Sequence, residues 1–119
     1  MPAARLQKCA RLLKAAEFNR VFDKSVRSSD RYFTVLARHN TLTHPRLGLA
    51  ISKRKAKLAV QRNRLKRIVR ETFRCSTVIA NADYVVMAGQ QSATATNKAL
   101  FQSLDKHWRI LKQKCESSC

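Results

Sequence analysis

Residues 53–74 read Lys-Arg-Lys-Ala-Lys-Leu-Ala-Val-Gln-Arg-Asn-Arg-Leu-Lys-Arg-Ile-Val-Arg-Glu-Thr-Phe-Arg. Ten of these 22 positions are Lys or Arg and one, Glu71, is acidic. Apolar residues nevertheless recur through the run at helical spacing. Leu58, Leu65, Ile68, Val69 and Thr72 share a sector of about 100° on a helical wheel, and Asn63, Lys66, Arg67, Arg70 and Arg74 fall opposite. Arg62 and Arg64 stand near the two borders of the apolar sector. The spacing predicts an amphipathic helix over about 57–74 whose polar face is almost purely cationic. Such a face holds a polyanion in a fixed pose instead of merely attracting one.

Composition points the same way. The chain has 119 residues, 45% of them hydrophobic, which suits one domain over 1–119 with a modest core. About 1–11 and 114–119 are expected to fray. Twenty-five basic and seven acidic residues give a formal charge of +18, which costs stability by self-repulsion until a partner neutralises it. Nucleic acid is the natural partner, because each neutralised phosphate releases a condensed counterion. A membrane is not expected: no apolar run is long enough to span one, and the apolar residues are needed for the core. No signal-peptide core is present either. The Met-Pro-Ala-Ala-Arg start is basic and Ala-rich, as transit peptides are, but useful pattern begins by Leu12. Cys9, Cys75, Cys115 and Cys119 form no Cys-x-x-Cys pair, and His39, His44 and His107 are scattered. Free thiols in a reducing cytosol are expected, and no metal site.

Outside the basic helix, Ala15, Phe18, Val21 and Phe22 share one face of a short helix over 15–24. Residues 32–38 read as a strand, 39–46 as a turn containing Pro45, and 47–52 as a second strand forming an antiparallel hairpin with the first. Asp83–Ala88 has the Tyr-Val-Val-Met character of a buried strand. A last helix over 97–113 carries Leu100, Phe101, Leu104, Trp108 and Leu111 inward, with Trp108 in the core. The class is α+β, in the order α-β-β-α-β-α, with three helices packed on a small sheet. The stretch 25–31 leaves three or four strands open.

The sequence offers little for catalysis by side chains. Glu17, Asp23, Asp30, Glu71, Asp83, Asp105 and Glu116 show no spacing that builds a metal cluster or an acid/base pair, and no Gly-rich phosphate loop occurs. Binding is better served. Arg62, Arg64, Lys66, Arg67 and Arg70 suit phosphates, and Asn63 suits a sugar hydroxyl or a base edge. Phe18 and Phe22 are either ordinary core or rings that line a groove and stack on unpaired bases. Tyr32 and Phe33 point to opposite faces of their strand.

Arg46-Leu-Gly-Leu-Ala-Ile-Ser-Lys-Arg54 and Ala59-Val-Gln-Arg-Asn-Arg-Leu-Lys-Arg-Ile-Val-Arg-Glu-Thr-Phe-Arg74 together resemble the signature of the protein subunit of bacterial ribonuclease P. The resemblance extends from about Leu12 to Leu111. It implies a mixed sheet with three helices and a left-handed βαβ crossover, against the usual hand. It also implies a bacterial, cytoplasmic protein paired one to one with a large catalytic RNA. That particle removes the 5′ leader of precursor tRNA by phosphodiester hydrolysis, with magnesium ions held mainly by the RNA and no catalytic residue in the protein. Arg62, Asn63, Arg64, Lys66, Arg67 and Arg70 match the family's RNA-binding helix, which also flanks the cleft. Phe18 and Phe22 match its leader cleft, and Lys53 and Arg54 its contact with the RNA subunit. There are departures. The loop at Lys55-Ala56-Lys57-Leu58 is one residue longer than in many members. Leu36 stands where some members carry an aromatic. Lys14 replaces the more common capping Ser or Thr. A ribosomal or other structural RNA-binding protein is the alternative. A helix-turn-helix DNA reader needs two short helices, where 53–74 reads as one.

Overall fold

The structure, a computed structural model, describes residues 11–12, 14–40, 44–76, 79 and 81–118. Helix α1 (Ala15–Asp23) is followed by strands β1 (Val26–Ser29), β2 (Phe33–His39) and β3 (Arg46–Ala50). Helix α2 (Ala59–Cys75), strand β4 (Ala82–Ala88) and helix α3 (Asn97–Ser118) complete the order. The open stretch 25–31 thus supplies a fourth strand. Asp30 makes it possible: its Oδ1 accepts the backbone N–H groups of Tyr32 (2.8 Å) and Phe33 (3.0 Å), closing the β1–β2 turn.

The sheet order is β1-β2-β4-β3. This corrects the expected hairpin between the strands at 32–38 and 47–52. β2 pairs antiparallel with β1 and β4, and β3 pairs parallel with β4. The reason lies in β4. Tyr84, Val85 and Val86 are fully buried, so this strand is apolar on both faces and takes an interior position. The parallel register also sets Arg46 opposite Asp83, where their side chains form an ion pair. Consecutive parallel strands need a crossover, and α2 provides it.

Alternation along the strands divides the core into two. Phe33, Val35, Ala37, Leu47, Tyr84, Val86 and Ala88 face α2 and α3. Leu65, Ile68, Val69 and Phe73 come in from α2, and Leu100, Leu104, Trp108, Leu111 and Cys115 from α3. Trp108 is fully buried and meets Phe73 and Tyr84 edge-to-face at 5.6 and 5.5 Å between centroids. On the other face, Leu36 and Val85 pack with Val21 of α1 and with Leu12.

Two helix boundaries differ from the sequence expectation. α2 begins at Ala59, so Leu58 caps the helix instead of joining its inner face and is 58% exposed. Gln61 Oε1 accepts the Leu58 N–H there (3.2 Å). α3 continues past 113 to Ser118, because Cys115 extends the inner stripe one turn beyond Leu111 and is buried, and Lys114 Nζ donates to Arg27 O. At the other end, α1 starts after Lys14 with no side-chain cap from it. Glu17 Oε1 instead accepts the Lys14 N–H at 3.0 Å.

His107 is fully buried on α3. Its Nδ1 lies 2.6 Å from Ser28 Oγ, and its Nε2 lies 3.3 Å from Asp30 Oδ2 without a well-formed hydrogen bond, a contact that is ionic only when the ring is protonated. Burial pushes its pKa below the ordinary histidine value, against the pull of the Asp30 charge. The unfolded chain therefore takes up this proton first as pH falls. The stability His107 contributes is complete above the ordinary histidine pKa and declines toward the lower folded value. We expect the urea midpoint to be lower at pH 5 than at pH 7.5, and the drop to shrink in His107→Gln. A wild-type midpoint that does not move over this range would contradict a buried neutral imidazole.

Candidate nucleic-acid interface

The face of the sheet toward α1 is only partly covered. Beyond the Val21 contact it opens into a groove of about 790 Å³. Alternation brings Arg27 of β1, Thr34 and Leu36 of β2 and Met87 of β4 to this face, and all four line the groove. Phe22, at the end of α1, forms one wall and is 47% exposed. Gly89, Gln90 and Gln91 form the opposite rim, and Arg31 and Lys55 add positive charge. Gly89 is required by close approach: a Cβ there would sit 2.6 Å from Arg31 O.

Asp30 is the one acidic residue in the lining among the described residues, and both its oxygens are occupied. Oδ1 serves the turn; Oδ2 accepts from Ser103 (2.7 Å) and pairs with Lys106 at 3.2 Å. Burial opposes its ionisation. The hydrogen bonds from the Phe33 N–H, Ser103, the Tyr32 N–H and Lys106 outweigh that and hold the carboxyl well below the usual carboxylate range.

Phe18 and Phe22, one helical turn apart, do different work. The Phe18 ring lies against Gly48 of β3, where a Cβ would meet it at 2.6 Å. It packs onto the Leu12–Val21–Leu36–Val85 cluster. Its outer edge lines a separate hollow of about 200 Å³ with Leu12, Lys66 and Arg70. The cationic face of α2 therefore borders this smaller hollow at the β3 edge, and the larger groove takes its charge from Arg27, Arg31 and Lys55.

The side chains of the basic helix also divide. Arg62 Nη1 donates to Ala56 O (3.0 Å) and Lys57 O (2.8 Å), securing the loop before the helix. Arg64 donates to Asn97 Oδ1 (3.0 Å), Ala93 O (3.2 Å) and Ala95 O. Asn63, Lys66, Arg67 and Arg70 make no side-chain hydrogen bond or ion pair among the described residues. Asn63 and Arg67 are exposed, and Lys66 and Arg70 half-buried. Lys53 and Arg54 are exposed on the turn after β3.

Sequence reasoning missed the junction that places α1. Arg46 donates from Nε and Nη2 to both oxygens of Asp83 (2.8 and 2.7 Å) and from Nη1 to Glu17 Oε2 (2.6 Å). Asp83 also accepts from Asn40 Nδ2 at 2.9 Å. The hydrogen bonds to Asp83, with the charges of Asp83 and Glu17, raise the Arg46 pKa against the effect of burial. Burial works against ionisation of Asp83, and the bonds from Arg46 and Asn40 with the charges of Arg46 and Arg20 outweigh it, so its pKa is lowered. It also missed Arg27, Arg31, Met87, Gln90 and Gln91. Arg27 and Thr34 were readable as groove residues only once 26–29 is a strand.

Among the described residues no group of three or more His, Cys, Asp or Glu side chains is placed to hold a metal ion, and no helix is long and apolar enough to cross a membrane.

An apolar floor, one exposed ring and a cationic border on a sheet face suit the apolar bases and charged backbone of a nucleic-acid strand. Comparison with known proteins gives the family. The Ribonuclease P family pattern matches residues 6–112. The ribonuclease P protein component of Methylococcus capsulatus is 48% identical over 109 residues, covering 91% of this chain and 85% of the relative. That of Vibrio parahaemolyticus is 43% identical over 102 residues, covering 85% and 86%. Among solved structures, the Staphylococcus aureus RNase P protein superposes with a TM-score of 0.80 at 33% identity, covering 87% of this chain and 95% of that one. The Thermotoga maritima RNase P protein gives 0.74 at 29%, covering 87% and 96%. The chain belongs to the ribonuclease P protein family, and RNA binding and tRNA processing follow from that membership.

The Arg46 junction yields a stability expectation. Asp83 is 1% exposed, so Arg46→Met leaves a buried carboxylate without its partner. Loss of about 3–5 kcal/mol is expected, read from urea unfolding. A loss under about 1 kcal/mol would mean that water reaches Asp83.

Proposed function

We propose that this chain binds the catalytic RNA of ribonuclease P and receives the single-stranded 5′ leader of precursor tRNA in the groove beside Phe22. The observation that carries the reading is the groove itself. It has a floor of Leu36 and Met87, one half-exposed aromatic wall and three cationic side chains, Arg27, Arg31 and Lys55. Unpaired bases present apolar faces and a charged backbone together, and such a surface answers both. A duplex hides its base faces and has no use for the ring. The open stripe Asn63, Lys66, Arg67 and Arg70, with Lys53 and Arg54, is the surface for the RNA subunit.

The chemistry of the cut belongs to the RNA on this reading. Among the described residues Asp30 is the only groove carboxylate, and both its oxygens are engaged by protein donors, so these residues do not fit a magnesium site there. Magnesium is held by the RNA subunit. The protein's part is to raise affinity for the precursor and screen phosphate charge as leader and ribozyme approach. A bacterial cytoplasm and one protein per RNA subunit complete the proposal.

Reconstitution with a bacterial ribonuclease P RNA tests it. The chain should strengthen binding of precursor tRNA over mature tRNA, increasingly so as the leader lengthens. Equal strengthening of both would leave the ribosomal-type alternative. Phe22→Ala should reduce the precursor preference by about 1–3 kcal/mol, the worth of one stacked base, with little change in urea stability. Phe18→Ala should instead act mainly on stability, lowering it by about 3–5 kcal/mol at most because the ring is only partly buried. Reversed effects would exchange the roles of the two rings.

The stripe on α2 gives a second measurement. Lys66→Ala, Arg67→Ala and Arg70→Ala should each lower the log–log salt slope of RNA binding by about 0.7–0.9, one phosphate apiece. An unchanged slope would remove that side chain from the interface.

A further inference from the structure

Arg64 stands within the basic run, yet its guanidinium is turned toward the protein. Three acceptors converge on it: Asn97 Oδ1, Ala93 O and Ala95 O. They belong to the end of the 89–96 loop and the first residue of α3. The position is electrostatically poor, since a helix N-terminus carries partial positive charge. Directed hydrogen bonding holds the cation there in spite of that.

The same loop begins at the groove. Gly89 N–H donates to Tyr32 O (2.7 Å) and Gln91 N–H to Arg31 O (3.1 Å), so its first residues are fixed to the β1–β2 turn. Ser92 closes the next turn, with N–H and Oγ both bonded to Gly89 O at 3.3 and 2.9 Å. Beyond Ser92, Arg64 supplies the side-chain bonds from α2 to Ala93 and Ala95. The segment is thus pinned at one end by the turn and at the other by Arg64. Gln90 and Gln91, the groove's far rim, belong to the turn end, where the Gln91 N–H is itself bonded to Arg31 O, and Ser92 joins them to the part of the loop that Arg64 holds.

We propose that Arg64 is a positioning residue for the leader: it fixes the far end of the 89–96 loop, and so braces the Gln90–Gln91 rim of the groove from behind Ser92, instead of contacting an RNA phosphate. The fork of the guanidinium matters, because three acceptors in a fixed arrangement suit its planar donors and not a single ammonium. The inference rests on the reading that the groove receives the leader.

Arg64→Ala, Arg64→Lys and Asn97→Ala in the reconstituted ribonucleoprotein test it, with Phe22→Ala as the reference for the groove. In both Arg64 variants, amide hydrogen exchange across 89–96 should quicken by about tenfold or more, with α2 and β4 unchanged. Precursor preference should fall several-fold, Lys should not rescue it, and the salt slope of binding to the RNA subunit should stay at the wild-type value. A slope lowered by about 0.7–0.9 with loop exchange unaltered would overturn the proposal and make Arg64 a phosphate contact. If Arg64→Ala does not fold, Arg64→Lys and Asn97→Ala carry the same readouts. Loss of preference in Phe22→Ala but not in the Arg64 variants overturns this inference alone. Preference kept in all of them overturns the groove reading with it, and the loop exchange then still reports whether Arg64 holds the loop.

Discussion

One guanidinium holds two carboxylates, and the groove depends on that junction. Arg46 joins Asp83 on the neighbouring strand to Glu17 on α1. The first pair fixes β3 beside β4 in parallel register. The second holds α1 against the same end of the sheet, helped by Arg38 Nη1 donating to Arg20 O at 2.7 Å. α1 has only nine residues and one fully buried side chain, Val21, so apolar burial alone gives it a weak hold. Phe22 projects from its last turn. Where α1 sits decides how far that ring stands from Leu36 and Met87, and hence whether the sheet face is a groove or a closed seam.

The same junction shows how a chain with seven acidic residues among 25 basic ones keeps a cationic outer surface. Glu17 and Asp83 are drawn onto Arg46. Asp30 is drawn onto the β1–β2 turn, Ser103 and Lys106. Asp105 pairs along α3 with Arg109 at 3.0 Å. At Glu17, Asp83 and Asp30, negative charge is thus used to tie elements together. The border of the groove and the outward stripe of α2 keep a single sign, and a polyanion laid there relieves the self-repulsion of the free protein.

Much of this was legible in the sequence, and the misreadings have a common cause. Periodicity found α2, α3 and the buried strand β4, and it placed Trp108 in the core, because each depends on neighbours in the chain. The pairing of β3 was misread because its partner is 30-odd residues further on and is chosen by the burial of β4 and by the Arg46–Asp83 match, which no local pattern contains. Leu58 was misassigned because a helical wheel says nothing about a residue that precedes the first turn. Phe18 and Phe22 stay ambiguous by spacing, since four residues apart on a helix is one face. What separates them is Gly48, whose missing side chain makes room for one ring only.

The division within the basic helix is the more general lesson. Asn63, Lys66, Arg67 and Arg70 lie at steps of three and four, so they form one stripe on the side away from the core. Arg62 and Arg64 fall off that stripe, near the borders of the apolar sector. A border cation meets protein on one side and water on the other. It turns inward when backbone carbonyls without partners lie within reach, and the loops at 56–57 and 93–95 present them. Ala56 is buried, and a buried carbonyl left unsatisfied costs about 1–3 kcal/mol; the half-buried carbonyls of Ala93 and Ala95 cost less, but an exposed arginine gains little until its partner arrives. The run of positive charge from 53 to 74 is therefore two devices on one helix. The stripe faces outward with no protein partner among the described residues, and the two border arginines secure the loops on either side of it.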